Sequence, residues 1–102
     1  MKACKFPGAR RIGAPQGWDH TLDGECGTIF VTDAVDTLSG QNMMYSVYQP
    51  TPEDLCALMS GGAIRLGIMG TAHPVFQLGV LDAGVVQRAE IEPVWDMGDV
   101  IT

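Results

Sequence analysis

Only a few side chains in this sequence have the types that binding or catalysis needs, and the best of them fall in two places. Arg10 and Arg11 stand side by side ahead of a Gly/Pro-rich turn and Trp18. Guanidinium forks fit pairs of phosphate oxygens, and an indole face offers a stacking surface. Thr71 and His73 lie in the link Gly70-Thr71-Ala72-His73-Pro74. That link supplies a hydroxyl, turn N–H donors and an imidazole, a group able to exchange a proton near neutral pH. Arg10, Arg11, Trp18, Thr71 and His73 therefore form the candidate ligand-binding set, suited to a small anion of nucleotide type. A plainer reading stands beside each part. His73 can be a turn residue whose ring bonds to adjacent backbone, and the arginines can belong to a solvated basic tail.

Other constellations carry less. His20 lies between Asp19 and Asp23, near Cys26. These are metal-ligating residue types, but the spacing fits no closed zinc site, so neither a metal nor a cofactor is expected. Cys26, His73 and an acidic residue make a nucleophilic triad on paper, yet nothing places them together and the residues around Cys26 are no nucleophile signature. The sequence has no G-x-x-x-x-G-K-S/T phosphate loop, no H-E-x-x-H and no G-x-G-x-x-G. No catalytic residue is assigned, and enzymatic activity is not expected. Cys4, Cys26 and Cys56 are odd in number and lack C-x-x-C spacing, which argues against a disulfide framework. Cys56 reads as a small core residue on a helix, and Cys26 as structural rather than reactive.

The elements that must position these groups are legible to different degrees. Thr51 at an N-cap, Pro52 behind it, and Glu53 and Asp54 in the first turn predict a helix over 52–60. Leu55, Leu58 and Met59 give it an apolar stripe, and Gly61-Gly62 stops it. Such a short helix must pack on something. Residues 64–69 and 75–81 alternate with strand period and flank a turn-forming link, so they predict an antiparallel hairpin. Residues 28–33 and 42–48 predict a second hairpin, and 85–92 a fifth strand that Pro93 stops or confines to an edge. Residues 1–17, rich in Gly and Pro, read as an extended, irregular arm tied down by Trp18. The fold expected is α+β: an antiparallel sheet of about five strands with one short helix packed across it. The arm would occupy 1–17, a single domain 18–92, and an apolar tail, docked on its own body or on a neighbouring subunit, 93–102.

Composition bounds the function. At 102 residues the chain is one domain with a modest core, and association with further copies would help it. A hydrophobic fraction of 46% excludes general disorder. No apolar run reaches the roughly 20 residues of a membrane span, and the basic N-terminus has no apolar stretch behind it, so neither a membrane nor a secretory leader is expected. The net charge of −6 argues against direct nucleic-acid binding. Lys2, Lys5, Arg10 and Arg11 place four of the six cations in the first 11 residues, so a basic arm on an acidic body could hold an anion or meet an acidic face of a neighbour.

Three segments carry a resemblance: FPGARRIGAPQGWD at 6–19, CGTIFV at 26–31, and YQPTPEDLCALMSGGAIRLGIMGTAHPVF at 48–76. They resemble a family of small bacteriophage and prophage proteins with a G-A-P-x-G-W-D entry, a C-G-x-L-P-V strand, and a P-T-P-E-E-L helix followed by G-x-x-H-P-P-V. This chain departs from it at Tyr48, where tryptophan is usual, at Ile29-Phe30, and at Val75 in place of the second proline. The resemblance implies a phage accessory protein made in the cytoplasm of a bacterial host. The function expected is binding of a small anionic ligand, a nucleotide second messenger, by a homo-oligomer that sequesters a host-defence signal. The alternative is a protein–protein inhibitor of a host defence complex, its acidic surface mimicking nucleic acid.

Overall fold

The computed structural model describes residues 1–19, 21–22 and 26–96. In chain order the elements are β1 (Lys2–Lys5), β2 (Arg10–Ile12), β3 (Ile29–Val35), β4 (Asn42–Tyr45), β5 (Tyr48–Gln49), α1 (Pro52–Met59), α2 (Ala83–Arg88) and β6 (Glu92–Asp96). They form two three-stranded sheets, ordered β5-β1-β6 and β2-β3-β4, with every pairing antiparallel. The fold is α+β. No helix among the described residues is long and apolar enough to cross a membrane.

Strand β1 is central to the first sheet because its sequence, KACK, keeps small residues where chains must approach closely. Ala3 and Cys4 are each only 1% exposed, between lysines that reach solvent. β5 pairs with β1 through Ala3↔Tyr48, and the Cys4 N–H donates to the Val47 carbonyl at 2.9 Å. On the other side Ala3 faces Trp95 and Cys4 faces Pro93, with a bulge between them. Pro93 lacks an N–H to give, and β6 is an edge strand, where proline is tolerated. Val31, on the central strand of the second sheet, is also buried, and β1 lies against β3.

The helices end as their local chemistry dictates. The Thr51 hydroxyl accepts from the Asp54 N–H at 3.1 Å, and the Asp54 carboxylate accepts from the Thr51 N–H at 2.9 Å, a reciprocal capping box. At the other end of α1 the Gly62 N–H donates to the Ala57 carbonyl and the Gly61 N–H to that of Leu58, with Gly61 at φ 93°. Helix α2 repeats the device. Ile91 donates to Val86 and Glu90 to Gln87, and Glu90 takes the left-handed position at φ 52°.

Several expectations need correction. The single sheet of about five strands is two sheets, and the one helix is two. The strand expected over 85–92 is instead the end of helix α2, which closes at Arg88, and a turn into β6 at Glu92, because the Asp82 carboxylate caps the Val85 N–H at 2.9 Å and outweighs the β-branched valines. The stretch read as an irregular arm contributes β1 and β2. The expected strand over 42–48 breaks into β4 and β5. The hairpin over 64–69 and 75–81 does not form: neither run is a strand. Alternation says which side chains would share a face, but Gly67 and Gly79 weaken the runs, and no strand among the described residues is paired with them. Helix α1 buries none of its residues, so it does not pack across a sheet, and Cys56 on it is exposed rather than a core residue. The start of the expected tail lies in β6; residues 97–102 are outside the described residues.

Candidate functional site

The arginines of the candidate site sit on β2, the edge strand of its sheet, and their neighbours follow from register. Arg10 pairs with Val31, Arg11 with Phe30 and Ile12 with Ile29. Successive side chains of a strand point to opposite faces, so Arg10 and Arg11 serve different sides of the sheet. Arg10 shares its face with Asp33, diagonally across β3. Its Nε donates to Asp33 Oδ2 at 2.8 Å and one Nη to Oδ1 at 3.1 Å, a two-pronged pair that also brings the same Nη within 3.2 Å of Met44 Sδ. The hydrogen bonds from Arg10 hold the Asp33 carboxyl below the usual carboxylate range, and Asp33 in turn raises the Arg10 pKa.

Arg11 is differently placed. It lies on the Phe30 face and donates to the Thr28 hydroxyl at 3.3 Å. Among the described residues it faces no carboxylate at ion-pair distance. Its guanidinium is exposed, so its remaining donors are open to an anion.

His73 meets its local surroundings. Nδ1 lies 2.9 Å from the Pro74 carbonyl oxygen, and because a carbonyl only accepts, Nδ1 is the donor of that bond. The ring also tilts against Phe76, with centroids 5.0 Å apart. Thr71 and His73 are both exposed, in the segment between α1 and α2. Trp18 is half-buried, and its backbone N–H donates to the Pro15 carbonyl at 3.1 Å. No hydrogen bond or ion pair between described residues joins Arg10 or Arg11 to Thr71 or His73. His20 and Asp23 lie outside the described residues.

Two grooves open on the surface. One, of about 400 Å³, runs between Lys5, Phe6 and Phe30 on one side and Glu90 and Glu92 on another. The other, of about 530 Å³, lies between the β3–β4 turn, with Asp36 and Met43, and the later segment, with Val75 and Gln77. Carboxylates line both, which disfavours an anion in either. Asp36 is held below its ordinary value by the Ser39 side chain and N–H, with the Gln77 side chain adding a further bond.

The sequence reading missed Asp33 and Thr28 as the arginines' partners. The signal was the register of β2 on β3, and it was hidden because residues 1–17 read as irregular. No family model, no curated protein and no solved structure matches the chain.

Proposed function

We propose that this chain is a phage accessory protein that acts in the host cytoplasm as a homo-oligomer, binds a small anionic ligand of nucleotide type, and so sequesters a host-defence signal. The observation that carries the reading is the asymmetry of the two arginines. Arg10 is neutralised by a two-pronged bond to Asp33, whereas Arg11 is exposed and held by one neutral hydroxyl. Arg11 is the anchor for the ligand's charge. Arg10 keeps the edge strand in register and offsets Asp33 nearby. Trp18 supplies a stacking face, and Thr71 and His73 come from a neighbouring subunit, since no hydrogen bond or ion pair among the described residues joins them to β2.

The test is a thermal-shift panel of cyclic nucleotides and ADP-ribose derivatives, followed by equilibrium dialysis and mass spectrometry of the released molecule. A ligand that binds only the folded protein raises its melting temperature by mass action. Arg11→Ala is expected to weaken binding at least about tenfold, the loss of one charge-assisted pair, with smaller losses for Arg10→Ala and His73→Ala. Unchanged affinity in all three variants removes the site, and a modified product instead of the intact ligand identifies an enzyme.

One observation favours a second reading, the inhibitor of a host defence complex: both grooves are lined by carboxylates on a chain of net charge −6. A host protein retained at high affinity, with no nucleotide bound, would select it.

A further inference from the structure

We propose that the groove between Phe6, Phe30, Glu90 and Glu92 is a nucleobase pocket, and that it selects guanine for the ligand whose phosphate Arg11 anchors. The inference rests on the reading of Arg11 as the anion anchor and adds the base to it. The groove holds about 400 Å³, inside the about 300–1,000 Å³ of small-molecule sites. It lies where the two sheets meet, β1 against β3. Lys5 and Phe6 come from the end of β1, Phe30 from β3, and Glu90 and Glu92 from the junction of α2 with β6. Phe6 and Phe30 are half-buried, and among the described residues their rings do not stack on each other. Both rings are therefore left for a planar base, whose stacking on an aromatic side chain is worth about tenfold in affinity.

The hydrogen-bonding groups choose the base. Glu90 and Glu92 are exposed, and among the described residues their carboxylates make no ion pair and no hydrogen bond. Helix ends usually give the left-handed position to glycine, yet at φ 52° this one carries Glu90, which puts a carboxylate at the groove. An ionised carboxylate only accepts. Guanine offers it two adjacent donors, N1–H and the N2 amino group, which one carboxylate takes with both oxygens. Guanine O6 is an acceptor, and Lys5, opposite Glu92 in the β1–β6 register, supplies a donor. Adenine has one amino group, and its neighbouring N1 presents a lone pair, so a carboxylate oxygen is left facing an acceptor. The same carboxylates repel a phosphate. That fixes the direction of the ligand, with the base in the groove and the phosphate outside it. Arg11 stands on the side where the phosphate emerges, because it pairs with Phe30 across β2 and β3 and shares its face. Its guanidinium is exposed and bonded to the neutral Thr28 hydroxyl.

Equilibrium dialysis on the unmodified chain tests the pocket with matched 3′,5′-cyclic mononucleotides and symmetric cyclic dinucleotides of guanine, hypoxanthine and adenine. Guanine is expected to bind at least about tenfold tighter than adenine, the discrimination of one bidentate pair. Hypoxanthine, which lacks the N2 amino group, is expected to fall between them. Glu90→Gln with Glu92→Gln is expected to cut the guanine-to-adenine ratio at least about tenfold. At two exposed positions it should leave the melting curve of the free protein in place. Equal affinity for guanine and adenine overturns the proposal, and so does a ratio that the double variant leaves unchanged. Nucleotide binding that is lost in Arg11→Ala but blind to the base removes the pocket and keeps the anion anchor. Guanosine bound as tightly as its nucleotides, by the parent and by Arg11→Ala, keeps the pocket and removes the anchor. No binding of any of these molecules overturns both.

Discussion

Residues 1–59 and residues 60–82 have similar apolar patterning and opposite fates. In the first region every strand has a partner. β1 is flanked by β5 and β6, β3 by β2 and β4, and α1 is capped at both ends by bonds from its own flanks. In the second region alternation is as regular, yet no strand forms and almost every side chain is exposed. The difference is not in the side chains but in whether a backbone edge is at hand. Helix caps are answered within a few residues, so they form wherever the sequence provides them. A strand is answered only by another strand, and among the described residues 60–82 pairs with none.

The largest test of that contrast places one carboxylate in each region. Val31→Asp puts a carboxylate at a position 4% exposed, opposite Arg10, whose guanidinium is already engaged by Asp33. An unpaired buried charge costs several kcal/mol, much of the about 5–15 kcal/mol that holds a domain, so the cooperative melt followed by circular dichroism is expected to vanish. Val75→Asp places the same group where the side chain is exposed, and is expected to shift the melt of a dilute, dissociated sample by less than about 0.5 kcal/mol. Equal damage from both would mean that 75 is as buried as 31, and the contrast would fall.

Glycine offers a subtler comparison, at the boundary and beyond it. A Cβ on Gly62 would stand 2.6 Å from the Ala57 carbonyl oxygen, a backbone atom that the Gly62 N–H itself binds. Gly62→Ala is therefore expected to cost about 1–2 kcal/mol by forcing the helix stop apart. A Cβ on Gly67 meets nothing within 4 Å, so Gly67→Ala is expected to be neutral within about 0.5 kcal/mol in dilute protein. Urea titrations of the two variants measure the difference.

How much was legible follows from the same distinction. Helix α1, its capping threonine and its glycine stop were readable because each signal and its answer lie within one turn. The β3–β4 hairpin was readable because two alternating runs sit on either side of a turn. Strand β1 was not, because KACK has no apolar period. It is a strand through β5 and β6, from the middle and far end of the chain. Helix α2 was misread because Val85 and Val86 favour strands on their own, while the deciding contact is one carboxylate, Asp82, on one N–H. Of the candidate site, the arginines were readable as cations. Which of them is neutralised was not, since Asp33 meets Arg10 only through the β2–β3 register.

The smallest expected effect is an acid one, and it also divides the regions. Asp54 accepts from the Thr51 N–H, and its Oδ2 lies 2.7 Å from the Met1 amino group. The amino group first, and the Thr51 N–H second, bring its pKa down to about 2. The folded value lies below the unfolded one, near 3.9. Asp54 therefore contributes stability that is fully present above about pH 4 and is lost as pH falls towards 2. Asp54→Asn is expected to melt below the parent at pH 7. The gap should close between pH 4 and 2, which melting curves at stepped pH would follow. A gap unchanged at pH 2 would show that the carboxylate's charge contributes nothing. Asp33, held low by Arg10, and Asp36, held low by Ser39, shift in the same direction and sit in the same region. Residues 60–81 have no carboxylate to protonate, so acid should loosen the paired sheets while leaving the chemistry of the unpaired segment as it was.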